Sequence, residues 1–322
     1  MTVLVTGAAG FIGFHVSMAL LKQGVRVAGI DNLNSYYDPA LKKIRLRRLQ
    51  ENEQFTFEQI DIADRDGIER LGKSLRPDAI VHLAAQAGVR HSLKAPFQYT
   101  DSNITGMLSL LEMARNLNVQ HMVYASSSSV YGRNSAVPFN ETQSADAPAS
   151  LYGATKRANE LMASSYGHLY SIPLTGLRFF TVYGPWGRPD MAYWLFTDKI
   201  LRNEPLQIFN QGKMGRDFTY IDDIVEGILA ALAKPPSKSD SYHRVFNLGN
   251  DHPEELMTLV TTIEKLVGRS ADKKMMGMQP GDVEQTWANI SQARAILGYQ
   301  PKTALADGLS RFVEWFASYA KK

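Results

Sequence analysis

Tyr152 and Lys156 stand four residues apart in Tyr152-Gly-Ala-Thr-Lys156, a spacing that puts both side chains on one face of a helix. Upstream runs a series of four serines, Ser126 to Ser129. A serine hydroxyl delivered from a strand end to such a phenol, with the ammonium nearby, makes a trio able to take a proton from a sugar alcohol. Oxidising that alcohol also requires a hydride acceptor. The chain opens with a glycine-rich turn behind an apolar run, the arrangement in which a nicotinamide dinucleotide is held. Their order and spacing together point to nicotinamide-dependent alcohol oxidation.

The elements that must position these groups follow from periodicity. Val3-Leu4-Val5 reads as a buried parallel strand, and Gly7-Ala8-Ala9-Gly10-Phe11-Ile12-Gly13 follows it directly, with a helical pattern through Leu20 and Leu21. Glycines at Gly7, Gly10 and Gly13 allow a tight turn, close approach of a pyrophosphate and packing of helix on strand. The spacing is GxxGxxG and meets the general GxGxxG fingerprint only approximately. A second run, Val25 to Ile30, ends in Asp31. An acid there accepts hydrogen bonds from ribose hydroxyls and repels a 2′-phosphate, so the expected cofactor is NAD, not NADP.

Further strand-like runs at 55–60, 79–83 and 121–125 alternate with helical stretches, which argues an α/β fold built on a Rossmann-type, doubly wound parallel sheet. Asp61 and Ile62 end the third strand and are placed to approach an adenine. Leu83, Ala84 and Ala85 end the fourth and are placed against the central phosphates and ribose, although small residues there would also ease strand–helix packing. After residues 175–180, Gly184, Pro185, Gly187 and Pro189 break the pattern. The division expected is a cofactor domain over 1–180 and, over 181–322, mainly a smaller C-terminal α/β lobe facing the substrate, parts of which pack back on the first. The last helix, Leu305 to Tyr319, carries Leu309, Phe312, Val313 and Phe316 at core spacing.

Composition excludes several classes. With 322 residues and 44% hydrophobic content the chain can bury a sizeable core, and its zero cysteines exclude disulfides, thiolate metal sites and cysteine nucleophiles. A net charge of +3 is too small to imply a nucleic-acid partner. No apolar run is long enough to span a bilayer, and the first strand leaves no room for a signal peptide, so no membrane partner and a cytoplasmic location are expected. The cluster Lys42, Lys43, Arg45, Arg47 and Arg48, interleaved with Leu41, Ile44, Leu46 and Leu49, reads as a solvated helix face. The seven histidines lack metal-ligand spacing, and His82, at a strand end, reads as packed.

The chain resembles the extended short-chain dehydrogenase/reductase family over essentially its whole length. The residues that carry the likeness are Gly7 to Gly13, Asp31-Asn32-Leu33, Asp61-Ile62, His82 to Ala85, Asn103, the serine run with Val130-Tyr131-Gly132, and Tyr152 with Lys156. Narrower marks, Gln86-Ala87-Gly88-Val89-Arg90 and the stretch from Arg178 to Met191, are most similar to the UDP-glucuronate 4-epimerase group. The resemblance implies an isomerase that binds NAD through the residues above, probing Phe11, Ile12, Asn32 and Asn103 as well. It implies Tyr152 as base and acid, with its phenol lowered by Lys156 and the nicotinamide cation, and Lys156 also on the ribose. Ser127 would bond the sugar O4, with Ser128 as the alternative.

The same resemblance implies a UDP-sugar substrate and a homodimer. Arg216 would contact the diphosphate, with an ion pair to Asp217 as the alternative reading. Gln207 and Phe209 would lie by the uracil, Asp282 by the uridine ribose, and Arg90 in the substrate site. UDP-galactose 4-epimerases carry a second diphosphate arginine two residues before the Gly281-Asp282 pair, where this chain has Gln279. A uronate adds a hazard, because its 4-keto form is a β-keto acid that can lose carbon dioxide. Ser128, Ser129, Thr181 and Arg188 are the candidates to hold its carboxylate, Arg188 being open also to a structural role between loops. The alternatives are a UDP-glucuronate decarboxylase, a neutral UDP-hexose 4-epimerase and, in a different class, a non-catalytic NAD(H)-sensing protein.

Overall fold

A computed structural model describes residues 1–133, 136–279 and 282–320; Pro280 and Gly281, from the expected uridine segment, lie outside the described residues. Short apolar runs closed by polar residues form seven parallel strands in one sheet. These are β1 (Thr2–Thr6), β2 (Arg26–Asp31), β3 (Phe55–Gln59), β4 (Ala79–His82), β5 (His121–Ser127), β6 (Leu174–Phe179) and β10 (His243–Leu248). Their order is β10-β6-β5-β4-β1-β2-β3, so the chain reverses direction across the sheet between β1 and β4. In a doubly wound sheet the crevice at that reversal, beyond the strand C-termini, is where ligands bind.

Alternation along the strands splits the core into two layers. In β1, Val3 and Val5 join one apolar cluster with Phe14 and Leu20, and Leu4 joins the other with Ile68 and Leu110. The helices are α1 (Phe11–Lys22), α2 (Pro39–Gln50), α3 (Arg65–Leu75), α4 (Pro96–Tyr99), α5 (Gly106–Leu117) and α6 (Leu151–Tyr170). A π-helical turn over Thr100–Thr105 joins α4 to α5. None of the described helices is long and apolar enough to cross a membrane.

Beyond β6 lies a three-stranded sheet in which β9 (Gly215–Tyr220) runs parallel to β7 (Thr181–Tyr183) and antiparallel to β11 (Pro253–Glu255). A parallel pair, β8 (Leu206–Ile208) with β12 (Lys273–Met275), stands beside α7 (Ala192–Leu201), α8 (Ile221–Leu232), α9 (Leu256–Val267) and α10 (Leu305–Tyr319). On α10, Leu309, Phe312 and Phe316 are buried, and Trp194 of α7 meets the Phe316 ring edge-on at 5.1 Å. β10, although it lies after residue 180, completes the edge of the large sheet against β6.

The basic helix departs from the solvated face expected of it. Within α2, Lys42 and Arg45 are buried, and Arg45 is wholly shielded from solvent. Its guanidinium donates to the carbonyls of Ala9 at 3.0 Å, Trp186 at 2.5 Å and Gly187 at 2.7 Å, and to the Tyr37 hydroxyl at 2.8 Å. Charge periodicity alone identifies a polar helix but cannot show that peptide carbonyls from two distant turns converge on it. Arg45 thereby ties the glycine turn after β1 to the loop after β7. Arg45→Met leaves those buried acceptors without their donor, and a loss of about 3–5 kcal/mol is expected, by analogy with breaking a buried charged contact. Urea denaturation measures it, and an unchanged midpoint at equal slope contradicts this role.

Candidate active site

At the C-terminal ends of β1, β2, β4 and β5 a cleft is lined by Gly7, Gly10, Phe11, Ile12, Gly13, Asp31, Asn32, Ile62, Leu83, Ala84 and Ala85. Gly7 has φ +70, and a Cβ on it would stand 2.8 Å from the Ala84 amide nitrogen; one on Gly13 would stand 2.1 Å from the Gly7 carbonyl oxygen. Only glycine permits this close packing of turn, helix and strand. Gly10 caps α1 with no side-chain hydrogen bond, so the amides of the first turn are left to a ligand anion. The cradle therefore fits a dinucleotide.

Asp31 ends β2 and accepts from the Leu33 amide at 2.8 Å. Facing it at 3.6 Å is Lys42 Nζ, which also donates to Asn34 Oδ1 at 2.8 Å. Lys42 lines the cleft, a placement that its sequence context hid. Two expected cofactor residues are engaged by hydrogen bonds within the protein. Asp61 accepts from Asn32 Nδ2 at 2.8 Å and from the Ala63 amide at 2.9 Å, so it braces Asn32. Asn103 is buried; its Oδ1 accepts from the Gln86 amide at 2.8 Å, and its Nδ2 donates to the Gln86 carbonyl at 3.1 Å and to Thr155 Oγ1 at 3.0 Å. Together those bonds fasten the loop after β4 to α6.

The proposed trio comes together where this cleft meets a second cavity. Ser150 caps α6 by accepting from the Gly153 amide at 3.1 Å, so the first two turns present Tyr152 and Lys156. β5 delivers Ser127, whose hydroxyl stands beside the Tyr152 phenol and stabilises its ionised form. Burial pushes the phenol above its ordinary range, while Ser127 and the Arg188 charge pull it back. Lys156 Nζ donates to the Ala125 carbonyl at 2.9 Å, and burial lowers its pKa to about 8. His82 is packed, sharing a hydrogen bond of 2.7 Å with Thr6, and burial lowers its pKa to about 3.

The second cavity, of about 760 Å³, shares Ser127, Tyr152 and Arg188 with the first. Ser128, Ser129 and Thr181 line it, as do Arg90, Gln207, Phe209, Arg216 and Asp282. Arg90 pairs with Asp282 at 2.9 Å and lies 5.1 Å over the Phe209 ring. Arg90 also lies close enough to Arg216 for their charges to repel. The loop after β4 thus brings a second cation beside Arg216, while Gln279 holds the position used by the galactose enzymes. Arg216 donates to the carbonyls of Gly215 at 2.8 Å and Glu284 at 3.1 Å. Asp217 is buried elsewhere, accepting from the amides of Asn250 at 2.6 Å and Ala288 at 3.0 Å, so it does not neutralise Arg216. Arg188 is engaged by Asp190, and Tyr36 donates to the same carboxylate at 3.0 Å. Tyr36 carries no sequence signal, and Asp190 only that of the Arg178–Met191 stretch in which it stands.

Asp31 and Lys42 set a test of cofactor choice. Asp31→Asn removes the anion and leaves Lys42 facing the ribose end, so affinity for NADP+ relative to NAD+ should rise roughly tenfold, about 1.4 kcal/mol. Adding Lys42→Ala should cancel the gain. Fluorescence titration reads both, and an unchanged preference in Asp31→Asn contradicts the assignment.

The NAD dependent epimerase/dehydratase family matches residues 3–249. UDP-glucuronate 4-epimerase 4 of Arabidopsis thaliana is 50% identical over 331 residues, which span 99% of this chain and 76% of that protein. The crystal structure of UDP-glucuronic acid 4-epimerase from Bacillus cereus, in complex with UDP-glucuronic acid and NAD, has a TM-score of 0.91 at 38% identity, covering 99% of this chain and 100% of that one. UDP-glucose 4-epimerase of Thermotoga maritima, with UDP-glucose, reaches 0.90 at 32% identity, with 99% and 100% covered. By its sequence match, its doubly wound sheet and its dinucleotide cradle, the chain belongs to the NAD dependent epimerase/dehydratase family.

Proposed function

We propose that this protein interconverts UDP-glucuronate and UDP-galacturonate by oxidising C4 of the sugar, letting the flat 4-keto sugar turn over, and reducing its other face. One observation carries the reading: a single cavity joins Tyr152 and Ser127 to Thr181, Arg188 and two further serines. The two epimerase structures share the fold almost equally, so backbone likeness does not choose between a uronate and a neutral sugar. The choice rests on side chains that suit a carboxylate. A guanidinium offsets its charge and a threonine hydroxyl fixes its orientation.

In this reading Ser127 orients O4, and Tyr152 takes the O4 proton and later gives it back. NAD, when bound, supplies the hydride acceptor and donor and ends unchanged. Arg188 draws the phenol downward, aiding its ionisation. Arg90 and Arg216 hold the diphosphate, Phe209 and Gln207 flank the uracil, and Asp282 meets the ribose. Restraining the carboxylate keeps the breaking C–C bond out of line with the C4 carbonyl π system, which suppresses decarboxylation. Residues 1–180 then form the cofactor unit and 181–322 mainly the sugar-nucleotide lobe. Exposed Phe97, Leu161 and Leu169 support a homodimer, and the absence of cysteine fits a cytoplasmic enzyme.

The direct test is incubation with UDP-glucuronate, resolving UDP-galacturonate, UDP-xylose and unreacted substrate. UDP-galacturonate is expected without net NADH; UDP-xylose as the main product would make the protein a decarboxylase. Tyr152→Phe keeps the ring and should cut kcat about 10²–10⁴-fold while UDP-sugar binding survives. Near-normal turnover in that variant removes Tyr152 from the chemistry. Thr181→Ala and Arg188→Ala should each lower uronate turnover far more than residual UDP-glucose turnover, and an unchanged ratio in both denies them the carboxylate.

A further inference from the structure

Arg188 already has a carboxylate. Its Nε donates to Asp190 Oδ1 at 3.0 Å and an Nη donates to Oδ2 at 2.5 Å, the paired geometry in which a guanidinium also binds a free carboxylate. Only Pro189 separates the partners, so the pair forms within one turn of the loop after β7. Tyr36, from the loop between β2 and α2, donates to Asp190 Oδ2 at 3.0 Å and lies 5.9 Å beneath the guanidinium. Its own ring packs on His91 at 4.9 Å. Gly88 makes room for it: the backbone there has φ +100, and a Cβ would stand 2.5 Å from the Tyr36 oxygen.

The pair is held but accessible. The Arg188 and Asp190 side chains are 24% and 30% exposed, and both line the cavity that contains Tyr152. A sugar carboxylate reaching Arg188 therefore meets a cation whose charge is already balanced. Its gain is the difference between two carboxylates, and selectivity depends on that difference. A neutral hydroxymethyl group meets an ion pair and displaces nothing.

We propose that Asp190 is a specificity-determining residue, an internal carboxylate that competes with the substrate's carboxylate for Arg188 and so sets how strongly the site prefers a uronate. The inference rests on the uronate reading of the site. It assigns Asp190 a role opposite in sign to that of Arg188. Arg188 draws the acidic sugar in. Asp190 weakens that pull, and in exchange keeps an uncompensated guanidinium from collecting other anions beside the phenol. Tyr36 fixes Asp190 in place.

The test measures dissociation constants of UDP-glucuronate and UDP-glucose by calorimetry on the NAD-loaded full chain. A Tyr152→Phe background, expected to bind the sugar, slows turnover during the titration. Asp190→Asn should raise the affinity ratio in favour of UDP-glucuronate roughly threefold to tenfold, and Arg188→Ala should lower it by a similar factor. If Asp190 only orients Arg188, both variants lower the ratio, and that result, or no change in Asp190→Asn, overturns the proposal. Asp190→Ser replaces Asp190→Asn should the latter fail to fold, with the same sign expected. Conversion by the otherwise unaltered enzyme separates the two levels. If UDP-glucuronate is epimerised and the ratio moves the wrong way, the competition fails and the functional reading stands. If UDP-glucuronate is not epimerised, the reading fails and the competition falls with it.

Discussion

Behind Ser127 a buried carboxylate locks three elements together. Glu160 lies on α6 two turns beyond Tyr152 and one beyond Lys156. Its Oε1 accepts from Ser126 at 2.6 Å and from Arg178 Nε at 2.8 Å, and its Oε2 accepts from Arg178 Nη at 2.8 Å and from Arg157 at 3.1 Å. Burial opposes its charge, yet the bonds and charge of Arg178 outweigh that and hold the carboxyl below its ordinary range. Ser126 and Arg178 are register partners on β5 and β6, so one side chain pins α6 to both strands immediately before Ser127. Arg178 in turn lies 4.7 Å over the Tyr131 ring, whose hydroxyl reaches Asn247 of β10 at 2.6 Å. The placement of Ser127 beside the Tyr152 phenol depends on that frame, since breaking a buried pair of this kind typically costs about 3–5 kcal/mol.

A second constraint brings the sugar side to the cofactor side. Arg45 binds the carbonyls of Trp186 and Gly187 to the glycine turn at Ala9, and Tyr36 reaches from the loop after β2 to Asp190. The loop carrying Arg188 is thus fixed from the cofactor face, not only from its own lobe. Electrostatically this matters for the phenol. The Arg188 charge draws the Tyr152 phenol down, while Lys156 donates to the Ala125 carbonyl and is itself lowered by burial.

Local rules made much of the site readable in advance. The 3.6-residue period placed Tyr152 and Lys156 on one helix face, the glycine spacing announced the turn against Ala84, and an acid ending an apolar run located Asp31. The alternation of strands and helices likewise gave the parallel sheet. The errors arose where a residue's role is set by partners far away in sequence. Lys42 and Arg45 read as solvated because periodicity reports a polar face and not what lies against it. The hydrogen bonds that tie Asn103 to Gln86 and Thr155, and Asp61 to Asn32, likewise became visible only in three dimensions. Asp190 stood only as one member of the Arg178–Met191 stretch and Tyr36 gave no signal, since their contacts with Arg188 are set in three dimensions.

The central claim is that one site removes the C4 hydrogen as a hydride and returns it to the opposite face without exchange. UDP-glucuronate carrying deuterium at C4 tests this most directly, with mass and NMR analysis of the product formed in ordinary water. The account predicts UDP-galacturonate that retains deuterium at C4 and keeps its carboxylate carbon. Loss of the label to solvent would mean proton abstraction in place of hydride transfer, and would contradict the account.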